Sequence, residues 1–208
     1  MAVHQTPRHT RFRSLTAHGR PTTAVPAEGV QPRAAVTGWL ARGAAVVRIL
    51  LGFVFLWAFF DKTFGWGYAT GSAGAWADGG SPTEGFLGNV AVGPFRSTFH
   101  SWAGDAWADW LFMLGLLGIG LALTAGVALR LAAVAGTVMM ALMWAAEWPP
   151  ARHLADGSPS MSSNPVVDYH VLYAAVMIVL ALAAAGRTWG LGGVWRELPF
   201  VRGSRWLH

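Results

Sequence analysis

Four long apolar runs organise the chain. They cover residues 39–60, 110–129, 131–148 and 166–185, and the first is interrupted only by Arg42 and Arg48. Each is close to the roughly 20 residues that an α-helix needs to cross about 30 Å of hydrocarbon. The runs are continuous rather than alternating, which predicts helices, and only helices or closed barrels satisfy the backbone in lipid. The expected fold is therefore all-α: a polytopic membrane protein with four transmembrane helices in one domain, residues 39–186. Residues 1–38 are rich in Arg, His, Thr and Pro and read as a disordered basic tail. Residues 187–208 mix Trp189, Leu191, Trp195, Leu198 and Phe200 with arginines, a pattern suited to an interfacial segment.

The connection between the first two runs, residues 61–109, is too apolar and aromatic for a plain linker. Within it, GGSPTEGFLGN carries a helix start signal: Ser81 as N-cap, Pro82 at the first helical position and Glu84 where a capping box needs it. Phe86, Leu87, Val90 and Val92 give that helix an apolar side, so the connection is expected to be a structured outer loop. Gly118, Ala122 and Gly126, then Ala128, Ala132 and Gly136, recur at four-residue spacing. Such stripes predict close approach of the second and third helices in a tight hairpin.

Composition strengthens the membrane reading. The chain is 54% hydrophobic and 12% charged, where a soluble domain carries about a quarter charged residues. Twelve Trp suit positions where hydrocarbon meets water. The absence of cysteine excludes disulfides, thiol chemistry and cysteine-held iron–sulfur clusters within the chain. The net charge of +5 comes from arginines at the two ends, so nucleic acid is not an expected partner. Arg8, Arg11, Arg13, Arg20, Arg33, Arg42, Arg130, Arg187, Arg196, Arg202 and Arg205 lie on one side of the predicted topology, against Lys62, Arg96 and Arg152 on the other. The expectation is a multi-pass plasma-membrane protein with both termini cytoplasmic.

Ionisable residues gather at the outer helix ends. Asp61 and Lys62 close the first helix in WAFFDKTFGWGY, Asp109 opens the second, Glu147 nears the end of the third, and Asp168, Tyr169 and His170 open the fourth. Trp57, Trp66, Trp110, Trp144 and Trp148 stand beside them. Taken singly, each also fits an ordinary interfacial position. Together, acids and a histidine in a low-dielectric pocket suit proton-coupled chemistry. Lys62 is expected to point into the mouth of the bundle and pair with an acid from another helix. Arg48 lies deeper, on a stripe with Gly52, Phe55, Phe59 and Lys62 that should face the interior. It is read as a structural residue or a ligand contact. The chain has no Walker A loop, nucleophile elbow or HExxH motif. Of the seven histidines, only His170 is near a span, so no metal, haem or iron–sulfur cofactor is expected.

The segments RILLGFVFLWAFFDKTFGWGY, GGSPTEGFLGN, WLFMLGLLGIGLALTAGVALRLAA, LMWAAEWPP and NPVVDYHVLYAAVMIVLALAAAGRTWGLG resemble the DoxX/DoxD membrane protein family. The resemblance covers residues 45–200 and is nearest the branch similar to the large subunit of thiosulfate:quinone oxidoreductase. It implies a four-helix membrane bundle, oxidation of thiosulfate to tetrathionate with electrons passing to quinone, and a separate small partner subunit. On the physical reading of the outer helix ends, rather than on any family motif, Glu147, Asp168 and His170 are the expected catalytic, proton-exchanging residues. Arg48, Trp57, Asp61, Lys62, Trp66, Arg96, Trp144, Trp148 and Tyr169 are the expected contacts to quinone or substrate. The competing expectation is a non-catalytic membrane partner or scaffold of a larger complex, with homo-oligomerisation open.

Overall fold

A computed structural model describes Met1, residues 31–204, Trp206 and Leu207, with side chains from Thr37 onward. Among the described residues the chain is helical and contains no strand, only an isolated bridge between His153 and Pro159. Four longer helices form the frame: α1 (Gln31–Phe64), α4 (Ala106–Ala125), α5 (Leu129–Glu147) and α6 (Tyr169–Leu182). Short helices α2 (Glu84–Leu87) and α3 (Arg96–Trp102) lie between α1 and α4, while α7 (Gly192–Glu197) and α8 (Pro199–Arg202) follow α6.

Three helices are long and apolar enough to cross a membrane: α1 from Thr37, α4 and α5. Helix α6 has 14 residues, about 21 Å at 1.5 Å per residue, and is shorter than its apolar run. Asp168 caps it by accepting the N–H groups of His170 and Val171, so Val166 and Val167 stay outside the helix. At the other end Ala184 is left-handed, with φ 47°. Helix α1 takes in residues 31–38, which the hydropathy pattern assigned to the tail. Pro32 falls in its first turn, where a missing N–H costs nothing. The rest of the tail, residues 2–30, lies outside the described residues.

The frame is two antiparallel pairs, α1 with α4 and α5 with α6, joined where α4 meets α5. Close approach falls on glycines both inside and outside the expected stripes. At Gly52 a Cβ would lie 2.5 Å from the hydroxyl of Thr124 on α4, and at Gly120 one would lie 2.8 Å from Leu56 on α1; Gly118 meets open space. Gly136 receives Met177 of α6, so the stripe opening α5 serves the α5–α6 contact. Leu51, Phe55, Met113, Ile119, Met140 and Met177 lie in the buried core. Leu111, Leu114, Leu121, Val134, Val138 and Val179 are exposed on the outside. An apolar girdle of this kind suits contact with lipid.

Arg48 ties one end of the frame together. It is fully buried, and no acid pairs with it among the described residues. Its Nη1 donates to the carbonyls of Leu123 and Thr124, the latter at 2.9 Å, and its Nη2 donates to Trp189 at 2.8 Å and Thr188 at 3.4 Å. The last carbonyls of a helix have no partner within it and carry the negative end of its dipole. Here all four are satisfied: Ala122 by the amides of Gly126 and Val127, Leu123 and Thr124 by Arg48, and Ala125 by the amide of Leu191. Gly126 turns the chain at φ 74°, and a Cβ there would meet Arg48 at 2.7 Å. Replacing Arg48 with Met is expected to cost about 2–4 kcal/mol, because it strands buried carbonyls. A lowered thermal midpoint in detergent checks this; an unchanged midpoint counts against the role given to Arg48.

Candidate functional site

At the opposite end, the last residue of α5 meets the first residues of α6. Asp168 is the hinge of this meeting. Its Oδ1 accepts the amides of His170 and Val171 at 3.0 and 3.1 Å, and its Oδ2 lies 2.8 Å from His170 Nδ1. An ionised carboxylate only accepts, so Nδ1 carries the proton, and in the neutral tautomer the lone pair falls on Nε2. Nε2 is buried and has no hydrogen-bond partner among the described residues. Glu147 Oε1 stands 4.0 Å from it and accepts the Tyr169 hydroxyl at 2.6 Å. The rings of Tyr169 and His170 lie 3.9 Å apart. Glu147, Asp168, Tyr169 and His170 thus form one polar cluster.

The other expected site residues divide by position. Asp61 is buried, yet it accepts the amides of Tyr68, Ala69 and Thr70 at 3.2, 2.9 and 2.9 Å. It folds the chain back after α1 instead of facing a pocket. Trp57 and Trp66 pack on each other and on Phe60, Phe64 and Tyr68. Trp144 donates to the Val166 carbonyl at 3.0 Å and stacks edge-on with Trp148, which backs onto Gly93. Arg96 donates to the carbonyl of Val90 at 3.2 Å. Arg48 is at the far end.

Lys62 faces the bundle, with Nζ 5.8 Å from the ring centre of Phe112 on α4. The expected ion pair with an acid of another helix is not made among the described residues. The acids at this end are already engaged. Asp61 holds the turn, and Asp109 accepts Ser81 and Thr83. Glu147 accepts Tyr169, and Asp168 holds His170.

A cavity of about 370 Å³ opens between α4 and α5, beneath α2 and α3. Its walls are apolar, with Phe86, Phe99, Trp102, Trp107, Phe112 and Met143 among them. None of the five expected tryptophans lines it. The missed aromatics flank the GGSPTEGFLGN segment, whose apolar side through Phe86 and Leu87 was the available signal. Asp109 fixes this roof. Its Oδ1 accepts the Thr83 amide at 2.9 Å, the Thr83 hydroxyl at 2.6 Å and the Ser81 hydroxyl at 2.9 Å. Ser81 Oγ also accepts the Glu84 amide at 3.1 Å, as a cap does, although regular helix begins only at Glu84 and lasts one turn. Met139 and Met143 of the cavity wall precede Glu147 at four-residue spacing, so the polar cluster lies one turn beyond the cavity on α5.

The 148–168 connection has its own local order. Ser158 donates through its hydroxyl and its amide to Asp156 Oδ1, which holds that carboxyl below its ordinary range. Comparison with protein-family models, with curated proteins and with solved structures finds no match.

Asp109→Ala is expected to free Ser81 and Thr83 and loosen the cavity roof, at a cost of about 2–4 kcal/mol. Hydrogen exchange read by mass spectrometry should quicken selectively over residues 81–90. Unchanged protection there counts against the anchoring role.

Proposed function

We propose that the chain is a DoxX/DoxD-like integral membrane protein that serves as the quinone-binding membrane subunit of an oxidoreductase. The observation that carries this reading is the aromatic-walled cavity between α4 and α5, with the Glu147–Asp168–Tyr169–His170 cluster at the same end. A quinone ring is flat, apolar and rimmed by two carbonyls, so such walls suit it. Its isoprenoid tail leaves between α4 and α5 into lipid. Reduction follows Q + 2e⁻ + 2H⁺ → QH₂, and the protons need carriers. Asp168 positions the imidazole, His170 Nε2 takes and returns a proton, and Glu147 with Tyr169 links it to the aqueous face. The donor half, thiosulfate oxidised to tetrathionate with a small partner subunit, rests on the family resemblance. Lys62, facing the bundle with no ion pair to an acid of another helix among the described residues, is the cation that attracts the anion.

In this reading α6 and its flanking turns form a fourth span, and both termini are cytoplasmic. The residues between α1 and α4 and those between α5 and α6 face outward. The cysteine-free chain makes the topology simple to test. A lone cysteine at Ser163→Cys should label in intact cells, whereas Gly203→Cys should label only after permeabilisation. The reverse pattern overturns the orientation.

Lipid extraction of the purified protein should yield quinone in near-stoichiometric amount. Ala135→Phe, which fills the cavity, should abolish it. His170→Asn should retain quinone but slow its thiosulfate-dependent reduction about 100-fold or more in the presence of the partner subunit. If no quinone is retained and no reduction occurs with the partner present, the enzymatic reading fails. A non-catalytic membrane scaffold then stands in its place.

A further inference from the structure

His170 Nε2 is an unusual atom. The His170 side chain is 1% exposed, its Nδ1–H is committed to Asp168, and its remaining lone pair meets no donor among the described residues. A buried acceptor left unmet costs roughly 1–3 kcal/mol, so the arrangement favours an electrophile at that point. The facing group is Glu147 Oε1 at 4.0 Å, beyond hydrogen-bond reach. One ligand atom from each of Glu147, Asp168 and His170 falls within 4.8 Å of the others.

We propose that His170 Nε2 and a Glu147 carboxylate oxygen are the protein ligands of a divalent transition-metal ion of the zinc class, with water completing the sphere. Asp168 is the positioning residue. A carboxylate behind Nδ1–H sets the tautomer that exposes Nε2 and raises its basicity, as in carboxylate–histidine–zinc arrangements. Asp168 itself is taken up by the ring and the α6 amides. Tyr169, on Oε1, steadies Glu147. Two ligand atoms on a tetrahedral ion with bonds of about 2.0–2.1 Å lie roughly 3.4 Å apart. The gap of 4.0 Å therefore needs only a small rotation of Glu147, whose side chain is 37% exposed. A mixed imidazole and carboxylate donor set suits Zn²⁺, Co²⁺ or Cu²⁺ better than Mg²⁺ or Ca²⁺. The ligands come from two helices meeting end to end, so no linear metal motif marks them.

Metal binding does not depend on the quinone reading. If both hold, the metal takes the lone pair that the proton would use, and Zn²⁺ arrests quinone turnover. The test uses the purified full-length chain in detergent micelles, without added quinone. Calorimetric titration with Zn²⁺ should give one site per chain, and Co²⁺ should develop a visible d–d band. Glu147→Gln and His170→Asn should each weaken binding at least tenfold and abolish the band, and Asp168→Asn should weaken it by about 10–100-fold. Replacing His4, His9, His18 and His208 with Ala should leave the site intact. No saturable uptake by the wild-type protein overturns the proposal. So does uptake that survives Glu147→Gln, an isosteric change of a partly exposed side chain. Quinone recovered from a chain that takes up no metal rejects the metal site alone.

Discussion

A buried guanidinium with no acid beside it among the described residues sets the geometry of this protein. Arg48 carries a full charge into the interior, and the carbonyl ends of α4 and of the chain after α6 balance it. The partnership works both ways, because those carbonyls also need donors where water is excluded. It ties three parts of the chain at one level: α1 at Arg48, α4 at Thr124 and the segment at Trp189. From that level α1 and α4 each run about four turns before presenting Asp61 and Asp109. The register at one end therefore sets which residues face each other at the other end.

The acids there divide the work. Asp61 and Asp109 accept backbone amides and hydroxyls and draw the 65–105 connection onto the helix ends. That makes a lid whose Val90 and Phe99 share a small core with Ala146 of α5 and leaves the aromatic cavity beneath. Glu147 and Asp168 instead meet a phenol and an imidazole. All four are carboxylates at helix ends. What separates them is the donor each one meets: Asp61 and Asp109 take loop amides and hydroxyls and fix a connection, whereas Glu147 takes a phenol and Asp168 adds an imidazole to the two α6 amides that it caps.

The helices were legible in the sequence because hydrocarbon-length apolar runs leave few other solutions. Their ends were less so. The 166–185 run loses three residues at its start to the Asp168 cap, and the 39–60 run gains eight before it. At the site, Glu147, Asp168, Tyr169 and His170 were readable as neighbours, since an antiparallel α5–α6 pair must bring those ends together. Asp61 was not readable as a loop anchor: nothing local says that the amides of Tyr68, Ala69 and Thr70 will return to it. The tryptophans failed for a related reason. Hydropathy ranks Trp57 and Trp102 alike, and only the packed structure shows that Trp57 joins an aromatic cluster at the end of α1 while Trp102 walls a cavity.

The double attachment of Asp168 has an evolutionary consequence. One oxygen starts a helix and the other fixes an imidazole, so the two properties are inherited as a single trait. Asn keeps the carbonyl that caps α6 but places an N–H₂ against Nδ1 and inverts the tautomer. Glu carries the charge on a longer arm and loses the cap. Few substitutions preserve both, so a lineage that loses the imidazole can still hold an aspartate here for the helix alone. An aspartate at this position in a distant relative is therefore weak testimony to a shared site. A histidine two residues after it, with an acid at the end of the preceding helix, is much stronger.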